Sequence, residues 1–205
     1  MILLVNHGMG NLDSIAKVLK IIGADYTISN REEDIHKATK LILPGVGHFG
    51  KAMDNLHALN LIGPLNQAVL VQKKPILGIC LGMQLFAASS EEGDASGLNW
   101  ITGQVRRLIP ADKLRYKIPH AGWNTVTRTK KSSLTENCSE QDEFYFLHAY
   151  HFVTSSPEDR LLETTYESTF TSAVARDNIF GVQFHPEKSQ TAGLNILRNF
   201  ATKVN

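Results

Sequence analysis

Ile76-Leu77-Gly78-Ile79-Cys80-Leu81-Gly82-Met83-Gln84 carries an unbroken apolar run into a cysteine with a glycine two residues to either side. An apolar run without alternation marks a strand buried on both faces. Glycines at those offsets let the chain turn sharply and let neighbouring backbone approach, so Cys80 projects from a strand end in the manner of a nucleophile elbow. Met83 to Ala88 is compatible with a following helix, whose N-terminal N–H groups would favour negative charge on the sulfur. Taken alone, the segment also fits a buried structural cysteine beside packing glycines.

Towards the N-terminus the same pattern repeats. Ile2 to Val5, Tyr26 to Ile28 and Leu41 to Leu43 read as further strands. Leu12, Ile15, Ala16, Leu19 and Ile22 fall on one helical face that ends at Gly23, and helical stretches are expected around Lys51 to Ala58 and Leu61 to Lys73. Alternating strands and helices predict an α/β three-layer fold, a central mostly parallel sheet flanked by helices. Past Trp100 short β-branched or aromatic runs take over: Gln104 to Ile109, Asn124 to Arg128, Phe144 to Tyr150, Leu161 to Tyr166, Thr171 to Ala175 and Phe180 to Phe184. These predict antiparallel strands in the C-terminal half, with Lys130 to Glu143 as a polar surface loop and a final helix from Thr191 to Val204.

The 205 residues suit one domain, 1–205, with 42% hydrophobic residues to fill a core. A formal charge of +1 gives no broad electrostatic reason to expect nucleic acid or an anionic membrane. The apolar opening ends at Asn6, short of a signal peptide or membrane span, so a cytoplasmic protein is expected. Two cysteines, Cys80 and Cys138, form no disulfide framework, and Cys138 sits in a polar stretch with no chemistry of its own.

A second chemical signal is Phe184-His185-Pro186-Glu187, directly after a predicted strand. On extended backbone, residues two apart face the same way, so Glu187 would lie beside His185 and orient it to exchange protons with Cys80. A structural salt bridge is the alternative for this pair. Pro44-Gly45-Val46-Gly47 would end a strand at the carboxyl edge of the sheet, either as a tight turn or as a source of N–H groups for an oxyanion, together with Leu81 N–H. His148 and His151, three apart on a predicted strand, would point to opposite faces, and no metal site is expected.

These motifs in order, with Asn6-His7-Gly8-Met9-Gly10-Asn11-Leu12, Pro119-His120-Ala121-Gly122-Trp123-Asn124 and Gly181-Val182-Gln183-Phe184-His185-Pro186-Glu187-Lys188-Ser189, resemble the class I glutamine amidotransferases, and among them the glutaminase subunits of imidazole glycerol phosphate synthases. The resemblance covers nearly the whole chain. It implies that Cys80 attacks the side-chain amide of L-glutamine, His185 protonates the departing ammonia, Glu187 orients His185, and water resolves a glutamyl thioester. It further implies oxyanion N–H groups from Val46, Gly47 and Leu81, and a glutamine pocket lined by Gly47, Gln84, Glu92, His148, Ala149 and Tyr150. No cofactor is implied. The implied partner is a cyclase subunit, a (β/α)8 barrel, in a heterodimer faced by Asn11, Trp123, Asn124 and Lys188; Trp123 also fits a core aromatic. Family glutaminases are nearly silent until the partner binds its ligand, which implies a rearrangement of the oxyanion loop at Val46 and Gly47.

Family members often carry tyrosine at the position of His7, methionine at Ala121 and serine or threonine at Ala149. These departures spare the triad and bear on the ammonia acceptor. Related subunits supply a sugar-modifying amidotransferase in surface-polysaccharide pathways, which is the alternative acceptor. A cysteine peptidase would leave the amide-pocket and partner motifs unexplained, and the intact triad argues against an interaction subunit without turnover.

Overall fold

The computed structural model describes residues 1–204. From the N-terminus, β1 (Ile2–Val5), α1 (Leu12–Ile21), β2 (Tyr26–Ser29), α2 (Glu32–Lys37), β3 (Lys40–Gly45), α3 (Phe49–Ala58), α4 (Ile62–Asn66), β4 (Ile76–Cys80) and α5 (Leu81–Gln84) alternate as expected. Strands then dominate: β5 (Ser89–Ser90), β6 (Ala95–Ser96), β7 (Gly103–Arg107), β8 (His120–Thr125), β9 (Thr127–Arg128), β10 (Glu143–His148), β11 (Tyr150–Thr154), β12 (Arg160–Tyr166), β13 (Ser168–Arg176) and β14 (Ile179–Val182). The helix α6 (Gln190–Thr202) closes the chain.

Alternation along each buried strand builds the layers. Ile2 and Leu4 of β1 face a cluster with Ile15 and Leu19 of α1 and Ile196 and Phe200 of α6. Leu3 and Val5 face the opposite cluster, with Ile35 of α2, Phe49 and Leu56 of α3 and Leu65 of α4. Helices therefore cover both sides of the sheet, and its inner strands are apolar throughout because neither face meets water. The sheet order is β2-β1-β3-β4-β14-β13-β11-β7-β5-β6, with β12 joined to β13 and β9 to β12. Strands β2 through β14 in that order pair in parallel, whereas β14 with β13, β13 with β11 and β11 with β7 are antiparallel. A separate antiparallel ribbon pairs β8 with β10.

This order positions the chemistry. Strand β4 lies between β3 and β14, in registers that set Gly45 opposite Cys80 and Val182 opposite Ile79. Three carboxyl ends, distant in sequence, thus open onto one spot, where ligands of α/β folds bind.

Several local expectations are corrected. The helix after Cys80 spans only Leu81–Gln84, because the carbonyls of Leu85, Phe86 and Ala87 accept bonds from Leu98, Trp100, Ile101 and Asn99 of the returning chain. The helix expected to Lys73 ends in a wide π turn, Gln67–Val71, and α2 carries no periodic apolar signal because Ile35 is its one buried apolar side chain. The strand expected from Phe144 to Tyr150 breaks at Ala149 into β10 and β11, and that expected from Asn124 starts at His120 and breaks at Val126. Lys130 to Glu143 is not wholly a surface loop: Leu134 and Thr135 are buried, and Asn199 of α6 donates to the Leu134 and Glu136 carbonyls at 3.1 and 2.7 Å.

Candidate active site

Cys80 ends β4 with φ 54° and ψ −110°, a conformation that costs a non-glycine residue about 1–3 kcal/mol. The neighbouring glycines make it possible. A Cβ on Gly82 would fall 1.8 Å from the Leu43 carbonyl oxygen, so β3 approaches the turn as closely as bare backbone allows. Cys80 is 6% exposed, with the Gln183 Nε2 at 3.6 Å from its sulfur and the Leu147 carbonyl at 3.9 Å.

His185 is 2% exposed and locked on both sides of its backbone. Its N–H donates to the Tyr145 carbonyl at 2.8 Å, and its carbonyl accepts from Ser189 Oγ at 2.6 Å. Its Nδ1 lies 2.8 Å from Glu187 Oε1. The expected neighbours meet, though not by the expected geometry: β14 stops at Val182, and Pro186–Lys188 form a 3-10 turn that carries Glu187 back under the ring. Burial pushes the His185 pKa down, but hydrogen bonds and charges from Cys80 and Glu187 outweigh it and lift the ring to about 10. The ring is therefore an imidazolium at neutral pH, next to sulfur, with a buried carboxylate behind it. Glu187 Oε2 is buried and has no hydrogen-bond partner among the described residues.

A cavity of about 180 Å³ opens on Cys80 and His185. Drug-sized ligands occupy about 300–1,000 Å³, so this one suits a smaller molecule. The sequence-predicted residues Val46, Gly47, Leu81, Gln84, Glu92, His148, Ala149, Tyr150 and Lys188 all line it, and Glu187 sits behind His185. Both Gln84 Nε2 protons are engaged, by the Tyr150 carbonyl and Gln183 Oε1, each at 2.9 Å. Its amide oxygen is left for a ligand donor. One Glu92 oxygen accepts the Phe49 N–H at 2.8 Å, tying the carboxylate to the start of α3.

The N–H groups expected to meet an oxyanion differ in their bonding. Leu81 N–H, in the first turn of α5, has no intrahelical acceptor. The Val46 N–H donates to the Met9 carbonyl at 3.3 Å. Gly47 has φ +106°, which disfavours any side chain there. His7, where the family often has tyrosine, is buried and bonds the Pro44 carbonyl through Nε2 at 2.6 Å, strapping the same loop to the one that follows β1.

Around the mouth, Trp123 is 44% exposed, which corrects the core-aromatic reading, and packs edge-on to Tyr145 with centroids 5.9 Å apart. Lys188 Nζ lies 5.5 Å from the Tyr145 ring centroid. Asn11 precedes α1 and Asn124 lies on β8, both half-buried. Gln183, Tyr145 and His120 were not singled out from the sequence. For Gln183 a signal existed, since it stands two residues before His185 within one quoted motif. A larger cavity of about 450 Å³ lies elsewhere, beside Arg128, Lys130 and Cys138. Its Cys138 thiol is pushed up to about 11, chiefly by burial, and Arg128 and Lys130 donate to backbone carbonyls there, so it offers no activated nucleophile.

The sequence profile of the family "Glutamine amidotransferase class-I" matches residues 3–204. The chain is 48% identical over 200 residues to "Imidazole glycerol phosphate synthase subunit HisH 2" of Methanococcus maripaludis, covering 98% of each. It is 43% identical over 204 residues to the protein of the same name from Pseudomonas aeruginosa, covering 100% of each. A solved glutamine amidotransferase matches the fold with a TM-score of 0.73 at 15% identity, over 97% of this chain and 96% of that one. The glutaminase domain of CTPS from Trypanosoma brucei matches with a TM-score of 0.66 at 18% identity, over 100% of this chain and 94% of that one.

Proposed function

The chain belongs to the class-I glutamine amidotransferase family, and from that premise we propose that it is the glutaminase subunit of an imidazole glycerol phosphate synthase. It hydrolyses L-glutamine and delivers the ammonia to a cyclase subunit in histidine biosynthesis. The observation that carries this reading is full-length similarity: 48% and 43% identity to subunits of that name, with both lengths spanned almost completely.

In the proposed mechanism the Cys80 sulfur attacks the side-chain carboxamide carbon of glutamine and a C–S bond forms. His185, protonated at rest, gives its proton to the departing nitrogen, and the C–N bond breaks to leave ammonia and a glutamyl thioester. Water then adds to the thioester carbon while His185 takes its proton, and glutamate leaves as the sulfur regains its electrons. Glu187 holds the imidazolium in place through Nδ1. Gln84 and Glu92 receive the amino-acid end of the substrate. Leu81 N–H meets the developing oxyanion, and Val46 N–H joins it once released from the Met9 carbonyl.

In this reading the partner face comprises Asn11, Trp123, Asn124 and Lys188, and the partner is the barrel cyclase of a heterodimer. Supporting this, Lys188 both lines the pocket and packs over Tyr145, and Trp123 leaves a large aromatic surface uncovered. The test is Cys80→Ala in the reconstituted complex. Glutamine-dependent product formation should fall by at least about 10³-fold while ammonium salts still support the cyclase reaction. Retained glutamine use by this variant would refute the assignment.

A further inference from the structure

His120 and His148 face each other across the β8–β10 ribbon, in register, and the proposed mechanism uses neither imidazole. Their hydrogen bonds have only one consistent direction. The Tyr150 carbonyl can only accept, so His148 Nδ1, 2.8 Å away, carries a proton. A neutral ring has one N–H, so His148 Nε2 accepts, and His120 Nδ1 at 3.2 Å donates. The other end agrees. Asn124 Oδ1 accepts the Thr125 N–H at 2.9 Å, leaving Asn124 Nδ2 to donate to the Thr165 carbonyl at 3.0 Å and to His120 Nε2 at 3.4 Å. Taken from the Asn124 end, both rings are neutral and protonated on Nδ1.

Their surroundings suit that state. Burial holds His120 at about 4. Burial takes His148 to about 3, against the opposing pull of the Tyr150 carbonyl. The chain of bonds continues beyond the pair. The Tyr150 carbonyl also accepts from Gln84 Nε2, whose other proton goes to Gln183 Oε1, and this turns Gln183 Nε2 towards the Cys80 sulfur.

We propose that His120 and His148 are positioning residues: they fix the Tyr150 carbonyl and, through it, the Gln84 and Gln183 amides that shape the glutamine pocket and present a donor to Cys80. The inference rests on the glutamine-pocket reading above. A packing role alone does not require a histidine at position 120. That ring stacks between Phe146 and Tyr166, with centroids at 4.8 and 4.1 Å, and phenylalanine would fill the same space.

The test uses the full chain, with the cyclase subunit present for turnover. Nitrogen-15 spectra of labelled histidines should show both rings protonated on Nδ1, with no titration between about pH 5 and 8. His120→Phe, which leaves His148 Nε2 buried without a donor, should fold and should raise KM for glutamine about tenfold with a smaller change in kcat. His120→Asn keeps a donor near the Nδ1 position and should restore KM towards that of the unmodified chain. A folded His120→Phe with unchanged KM, or either ring protonated on Nε2, overturns the proposal. An unmodified chain that neither binds nor hydrolyses glutamine condemns the proposed function instead, while the spectra still decide the bonding between the two rings.

Discussion

His185 binds its proton more tightly in the folded chain than in water, and the causes are local. Its ordinary pKa of 6.5 rises to about 10 because Cys80 and Glu187 favour the charged ring more than burial disfavours it. The folded chain therefore holds a proton that the unfolded chain releases above about pH 6.5. The resulting stability is complete below about 6.5 and is lost as pH climbs through about 10. Urea denaturation should accordingly show the stability difference between the unmodified chain and His185→Gln shrinking across that window; a difference constant with pH contradicts the shift. At this scale the sequence was informative for a partly mistaken reason. The pairing of His185 with Glu187 was legible, but from an extended strand, whereas a 3-10 turn begun by Pro186 makes the contact. Cys80 was legible because its glycines record a steric demand, the 1.8 Å approach of a Gly82 Cβ to Leu43, that no other residue type meets.

Elements with a continuous apolar signal formed where the sequence placed them, and those shaped by distant partners did not. Strands β1, β3 and β4 and helix α6 belong to the first group. The break at Ala149 belongs to the second: the carbonyl of Ala149 accepts from Leu108 of the neighbouring chain segment, and the Tyr150 carbonyl accepts from His148 and Gln84, bonds that no local pattern announces. The polar segment after β9 is similar. Asn199, buried on α6, holds it by two side-chain bonds to otherwise open carbonyls. Asn199→Ala should lower stability by about 1–3 kcal/mol because those acceptors would lose their donor inside the protein. Equilibrium unfolding measures this, and since α6 contributes no residue to the pocket, glutamine turnover by the folded fraction should persist.

For the whole molecule the surface that bears on a partner is the one around the mouth of the site. Trp123 stands 44% exposed beside Tyr145, whose ring centroid lies 6.5 Å from that of His185, and aromatics that become buried on association dominate protein interfaces. Trp123→Ala should weaken association with the cyclase by about 1–3 kcal/mol, roughly tenfold or more in Kd, as measured by calorimetry on the two purified subunits. Equal affinity would remove Trp123 from the proposed interface. Among the described residues no helix is long and apolar enough to cross a membrane. The sequence by itself determined the three-layer α/β architecture and the sharp turn at Cys80, and its resemblance to the family implied the side chains that line the pocket. These follow from near-neighbour patterns: apolar runs, glycine offsets and ordered motifs. Only the tertiary structure decided that β4 lies between β3 and β14, that the Val46 N–H is turned to Met9, and that His148 bridges His120 and the Tyr150 carbonyl. Those arrangements depend on strand order and on buried hydrogen bonds between residues far apart in the chain, for which one-dimensional spacing has no record.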